Sequence, residues 1–234
     1  MTFRPRDSLA EEIARHLATQ IIRGELLAGD RMQEMRIASE LDVSRGSVRE
    51  ALLILQRRHL IDILPRRGAV VKEMSEAHVR GLYEVFQVLL GLVVRKAIKV
   101  MTEDDLDGFI EVIHRLQTEA ENRDVEAFFQ SSFEFMELAY PFAGNEFVED
   151  IMTNLQPAMQ RAYYMALHLE QDEMKESLGF FKAMVETIFR RDVRSALEIV
   201  REFAEHQSSL VQDSIQRARQ IEVAWGERQR RRSR

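Results

Sequence analysis

The stretch 44–55, SRGSVREALLIL, constrains this chain more than any other. Val48, Leu52 and Leu55 recur at i, i+4 and i+7, which places them on one face of an α-helix, and Ala51 widens the stripe. Ser44 has the chemistry of an N-cap, because its hydroxyl can accept from an unpaired amide of the first turn. Ser47 and Glu50 repeat the pattern S-x-x-E, so a start one turn later stays open. On the opposite side, Ser44, Arg45, Gly46, Ser47 and Arg49 crowd the N-terminal end. A helix that enters the major groove of DNA presents its N-terminal residues to the base edges. Arginine there can fork onto a guanine or grip a phosphate, and Gly46 lets the backbone come close. Taken alone, the segment is equally an amphipathic helix with a solvated charged face.

The neighbouring segments shift that balance. Upstream, 33–41 predicts a short helix with Met35, Ile37, Ala38 and Leu41 as its apolar positions, and Asp42-Val43 forms a tight connection into Ser44. Two short helices joined by a few residues, the second with a basic start, make the helix-turn-helix pattern. Downstream, Leu60-Ile61-Asp62-Ile63-Leu64 and Ala69-Val70-Val71 are β-rich and flank the turn Pro65-Arg66-Arg67-Gly68, which carries two cations at its tip. A β-hairpin wing follows, with Arg66, Arg67 and Gly68 placed to grip the sugar–phosphate backbone. A plain hairpin with solvated arginines is the alternative.

Three runs carry a family resemblance: Ile22-Arg23-Gly24-Glu25-Leu26-Leu27-Ala28-Gly29-Asp30, the segment from Ile37 through Leu52 with Leu55, and Pro65-Arg66-Arg67-Gly68-Ala69 with Val71. Over about residues 8–73 they resemble the winged-helix domain of the GntR family of bacterial transcription regulators. The resemblance implies a double-stranded DNA partner, and it implies that Arg36, on the helix before the reading helix, contacts DNA. Two departures are visible: Ala28 stands where a proline is usual, and His59 where a glycine usually ends the reading helix.

A net charge of −6 looks wrong for a DNA-binding protein until it is partitioned. Through residue 73 there are 13 Lys and Arg against 11 Asp and Glu; over 74–216 there are 13 against 26, and over 217–234 there are 7 against 2. The acid therefore sits away from the reading head, and phosphate contact needs only a local cationic face. Cysteine is absent, which removes disulfides and thiolate chemistry. No apolar run approaches the roughly 18 residues that a membrane helix needs. The opening Met1-Thr2-Phe3-Arg4-Pro5-Arg6 is short and polar, unlike a secretory signal. These features predict a soluble cytoplasmic protein without a membrane partner.

The chain order predicts a mostly α protein in three parts: a winged helix-turn-helix domain over 1–73, an all-α antiparallel bundle over 74–226 and a basic disordered tail over 227–234. A first helix is expected over 8–23, capped by Asp7-Ser8, and a short linker without Gly or Pro over 73–77. Bundle helices are expected near 76–101, 103–122, 124–142, 146–168, 171–190 and 192–225, with caps at Ser75, Thr102 with Asp105, Asp124, Asn145 and Asp192.

The bundle is similar to the FCD ligand-binding domain of FadR-like members of the GntR family, on Phe135, Gly144-Asn145, Ala183, Asp192 and Ala196. That domain often holds a divalent metal with an Asp and three His. Aligned by Asn145 and Asp192, those positions fall on Ser132, Met136, Phe181 and Phe203, none a usual ligand for such an ion. Phe86 and Gly91 stand where the family often has Arg and Glu. The resemblance thus implies an effector pocket lined by Phe86, Ser132, Met136, Phe181 and Phe203, with no metal and no other cofactor. Such a cavity suits an apolar or amphipathic guest; a filled core and a rebuilt polar site are the alternatives. His168 and His206 are the imidazoles near this region, and Glu202 with His206 reads as a solvated i,i+4 pair.

The expected function is a sequence-specific transcriptional regulator that binds a palindromic operator as a homodimer and is controlled by a small molecule in the bundle. An effector-free architectural DNA-binding protein is the alternative. No nucleophile elbow, P-loop or dinucleotide fingerprint speaks for an enzyme.

Overall fold

The computed structural model describes residues 9–170 and 172–232, with side chains through residue 217 except at 169. The expected Asp7-Ser8 cap lies outside the described residues. The chain forms two compact units. One holds the segment through Met74 together with Thr153–Arg161, and the other holds Ser75–Met152 together with the chain from Ala162 onward.

In the first unit, helix α1 (Leu9–Ile22) is followed by β1 (Arg31–Met32), α2 (Glu34–Glu40), α3 (Arg45–Arg57), β2 (Ile61–Leu64) and β3 (Gly68–Val71). The three strands make one antiparallel sheet in the order β1-β3-β2, with Arg31 opposite Val70 and Ile61 opposite Val71. Strand β1 is invisible to pattern reading because two residues have no period. It forms because Gly29, at φ 87°, turns the chain so that its N–H donates to the Val71 carbonyl at 2.9 Å, while Val71 N–H donates back to Asp30. Helix α3 buries Val48, Leu52 and Leu55 against Ile13, Leu17 and Ile21 of α1 and against Leu60, Ile61 and Val71 of the sheet region. Burying each of these side chains contributes about 1.5–3 kcal/mol.

The two turns that aim α3 are left-handed. Asp42 takes φ 52° between α2 and α3, a conformation that Asp tolerates because its short side chain can bond locally, and Val43 N–H donates to the Ala38 carbonyl at 3.0 Å. His59 takes φ 58° just past α3, with its N–H on the Gln56 carbonyl. Histidine therefore adopts the left-handed C-cap that glycine occupies without strain, at a cost of about 1–2 kcal/mol.

The second unit is all helical: α4 (Glu76–Val100), α5 (Glu103–Asn122), α6 (Val125–Ala139), a 3-10 turn (Tyr140–Ala143), α7 (Glu146–Leu169), α8 (Glu173–Phe189) and α9 (Val193–Arg232). The local caps explain the starts. Ser75 accepts from His78 N–H, Thr102 and Asp105 form a reciprocal capping box, and Asp124, Asn145 and Asp192 each accept an amide of the first turn. Three expectations are corrected. The helix expected over 124–142 ends at Ala139, and Pro141 sits in the 3-10 turn closed by Gly144 at φ 55°. The tail expected to be disordered from 227 is helical backbone to Arg232, where α9 ends; Ser233 and Arg234 lie outside the described residues. Helix α4 is, among the described residues, the one helix long and apolar enough to cross a membrane by length and composition.

Helix α4 has two apolar faces, which is why its composition reads so. Val79, Leu82, Phe86, Leu90, Val93 and Ala97 are buried. Val85, Val88 and Leu92 are exposed at i, i+3 and i+7, Val88 to 72%. Gly91 lies on the buried side, where an added Cβ would stand 3.4 Å from Leu197 of α9. A glycine there lets α9 pack close to α4.

Candidate nucleic-acid interface and bundle cavity

Ser44 caps α3 as its chemistry requires. It is extended (φ −71°, ψ 146°), and its Oγ accepts from Ser47 N–H at 3.0 Å and lies 2.8 Å from the Ser47 hydroxyl. The helix therefore starts at Arg45, not one turn later. Ser44, Arg45, Gly46 and Arg49 are exposed and Ser47 is half-buried. A Cβ on Gly46 would meet only Ser44 Oγ, at an ordinary 3.7 Å, so the fold itself does not require glycine there. Any steric need for Gly46 must come from outside the chain.

Arg66 and Arg67 are exposed at the tip between β2 and β3, with Arg66 at φ 63° and Gly68 at φ 76°. One groove is lined by Arg49 of α3, Arg67 of the hairpin and Arg31 of β1. Arg31 escaped sequence reasoning, because the strand that places it is too short to leave a pattern.

Two of the expected DNA contacts are paired with acids. Arg49 donates through Nε and Nη2 to the two carboxylate oxygens of Glu34, at 3.0 and 2.9 Å, which the sequence did not suggest. The hydrogen bond from Arg49, with its charge, holds the Glu34 carboxyl below the usual carboxylate range. The Arg49 side chain is 64% exposed, so the pair is solvated and contributes little to stability. Arg36 pairs with Glu40 one turn on, at 3.1 Å, also in solvent. No ion pair to Arg45, Arg66 or Arg67 occurs among the described residues.

In the second unit, Met136, Phe181 and Phe203 line one apolar cavity, together with Leu90, Phe135 and Phe180 among others. Phe86 and Ser132 do not line it, which corrects that part of the expected pocket. Phe86 is buried edge-on to Tyr83, and the Ser132 hydroxyl is satisfied by the Phe128 carbonyl at 2.7 Å. The remaining space is about 40 Å³. A water needs roughly 10–15 Å³ measured this way, so the space admits a few waters at most. Aromatic packing accounts for this: Phe135 and Phe181 have ring centres 4.8 Å apart, and Phe180 and Phe203 5.3 Å.

A polar group lies beside that cavity. Glu173, the first residue of α8, is 2% exposed. Its Oε1 accepts from Ser177 Oγ at 2.6 Å and Gln207 Nε2 at 2.5 Å, and its Oε2 lies 2.9 Å from His206 Nε2. A helix N-terminus favours an acid at this place. The expected Glu202–His206 pair is thus corrected: His206 faces Glu173, and Glu176 Oε2 at 3.4 Å, across helices. The hydrogen bond to Glu173 raises the imidazole above its ordinary value, against the opposing effect of burial. Nothing local in the sequence marks a contact between residues 33 apart. The Tyr163 hydroxyl is buried near Ser132 and Ser177 without a bond of ordinary length to either, and burial pushes its ionisation up.

Residues 9–71 match the family described as bacterial regulatory proteins, gntR family, and residues 81–206 match the FCD domain. The chain is a GntR-family transcriptional regulator with an FCD effector-binding domain. Its curated relatives include the HTH-type transcriptional repressor RspR of Escherichia coli K12, 26% identical over 224 residues, covering 94% of this chain and 95% of RspR. The gluconate operon transcriptional repressor of Bacillus subtilis is 27% identical over 169 residues, covering 72% of this chain and 69% of that one. The solved structure of McbR/YncC from E. coli superposes with a TM-score of 0.76 at 20% identity, over 90% of this chain and all of that one, which speaks to the fold alone. In this GntR-family regulator, α2 and α3 are the helix-turn-helix and β2–β3 the wing.

Proposed function

We propose that this regulator reads a palindromic operator as a homodimer, in the bacterial cytoplasm, through Arg36, Ser44, Arg45, Gly46, Ser47 and Arg49 of the two helices and Arg66, Arg67 and Gly68 of the wing. One observation carries the reading: the exposed, capped N-terminus of α3 presents Arg45 without an ion pair among the described residues, and Arg49 shares a groove with Arg67 of the hairpin. A winged helix reads few base pairs, so two heads related by a two-fold axis are needed for a useful site. The exposed stripe Val85, Val88 and Leu92 on α4 supports a dimer face there. The FCD bundle is the switch. Its effector is apolar or amphipathic and independent of a metal at the cavity itself, because every side chain lining the cavity is apolar and the softest donors there are Met thioethers. Since only about 40 Å³ is open, a guest must displace aromatic side chains such as Phe180 and Phe203. The same figure favours a second reading, a DNA-binding protein whose bundle is closed and takes no effector.

Selection from a pool of random duplexes, followed by equilibrium binding with and without amphipathic acids, tests both readings. The expected outcome is an inverted repeat whose affinity falls steeply with salt, and at least one amphipathic ligand that shifts that affinity. Ligand-insensitive binding to a repeat favours the closed bundle; recovery of no preferred duplex defeats both.

A further inference from the structure

We infer that Glu173, Glu176 and His206 bind a divalent transition-metal ion. The three donor atoms come from α8 and α9 and lie within 4.8 Å of one another. His206 Nε2 stands 2.9 Å from Glu173 Oε2 and 3.4 Å from Glu176 Oε2. Ligands about 2.0 Å from a tetrahedral ion are about 3.3 Å apart along each edge, which the two distances from His206 approach, and the third edge lies within 4.8 Å. Imidazole with two carboxylates suits Zn²⁺ and its neighbours in the first transition row.

The surroundings of the three donors fit the same reading. Glu173 Oε1 is held by Ser177 and Gln207, which leaves Oε2 turned toward His206; ligands of metal ions are commonly oriented by such outer hydrogen bonds. Gln207, 1% exposed, lies against Glu173 through Nε2, yet its Oε1 is enclosed without any hydrogen-bond donor. An enclosed carbonyl of this kind is destabilising unless satisfied, and a water carried by the ion supplies the missing donor. The Glu176 side chain is 55% exposed, which gives the ion a path in and an open position for that water. These residues are not the four positions, Ser132, Met136, Phe181 and Phe203, at which the FCD resemblance would place a metal. The Phe180 ring, 5.8 Å from that of His206, also lines the apolar cavity, so the ion steadies one wall of it.

The test is a Zn²⁺ titration of the full-length protein, stripped with a chelator and desalted, in competition with a chromogenic indicator. The expected result is one Zn²⁺ per chain, with affinity reduced tenfold or more in Glu176→Gln and in His206→Gln; even outer-shell changes commonly cost about 10–100-fold. Glu176 is exposed, so its variant should unfold at the parent's temperature without metal, while added Zn²⁺ should raise the midpoint of the parent and not of His206→Gln. Absence of one-to-one binding, or equal affinity in both variants and the parent, would overturn the inference. The titration uses no DNA, so its outcome is independent of operator reading.

Discussion

Arg45→Ala is expected to weaken binding to the selected operator by roughly 1–3 kcal/mol, the value of one good bidentate base contact, without changing the unfolding midpoint. Arg45 is the first residue of α3, is exposed and makes no ion pair among the described residues, only a solvated charge interaction with Glu34, so its removal leaves the core of the fold intact. Equilibrium binding to the operator and to a scrambled duplex separates two roles. Base reading predicts a loss on the operator alone, whereas phosphate contact predicts an equal loss on both duplexes and a salt slope smaller by about one. Equal affinity of variant and parent on the operator would count against placing α3 in the groove. Arg49→Ala should behave differently. It removes a cation and leaves Glu34, its partner at 2.9 Å, as an unmatched acid in the groove, so both duplexes should be bound less tightly. Adding Glu34→Gln to Arg49→Ala should restore part of that loss.

If the proposed dimer forms through α4, the double change Val85→Asp with Val88→Asp is expected to convert it to a monomer and to reduce operator affinity by about 10²–10⁴-fold, the avidity lost when two heads are no longer joined. Both side chains are exposed, at 47% and 72%, so the fold of the chain should persist in circular dichroism. Sedimentation gives the oligomeric state directly. A double variant that remains dimeric would move the dimer face away from α4.

What was legible in the sequence was local. The Ser44 cap, the Thr102–Asp105 capping box and the Val48, Leu52, Leu55 stripe each depend on residues within two turns, and each is present in the structure. Elements too short to repeat left no signal, as with β1, which exists only because β3 is there to pair with it. The end of α6 was less legible: a helix was expected to 142, while the helix stops at Ala139 and Pro141 lies in the 3-10 turn that follows. Contacts between distant residues were the least legible. Glu34 with Arg49 and Glu173 with His206 are separated by 15 and 33 positions, and neither lies on a shared helix face. The same limit applies to the cavity. Met136, Phe181 and Phe203 do meet there, while Phe86 turns toward Tyr83 and Ser132 toward its own helix backbone. At α4 no apolar run of membrane length was legible, yet the helix is long and apolar enough by length and composition, because its buried and exposed faces both carry apolar residues.

The most direct measurement is 7-deaza substitution of each purine in the selected operator, one position at a time, because N7 faces only the major groove. Two clusters of sensitive purines related by the two-fold axis are expected, with Arg45→Ala abolishing the sensitivity of one purine in each half-site. Affinity unchanged by every substitution would mean that α3 does not read the major groove, and the regulator would then have to recognise its site by some other surface.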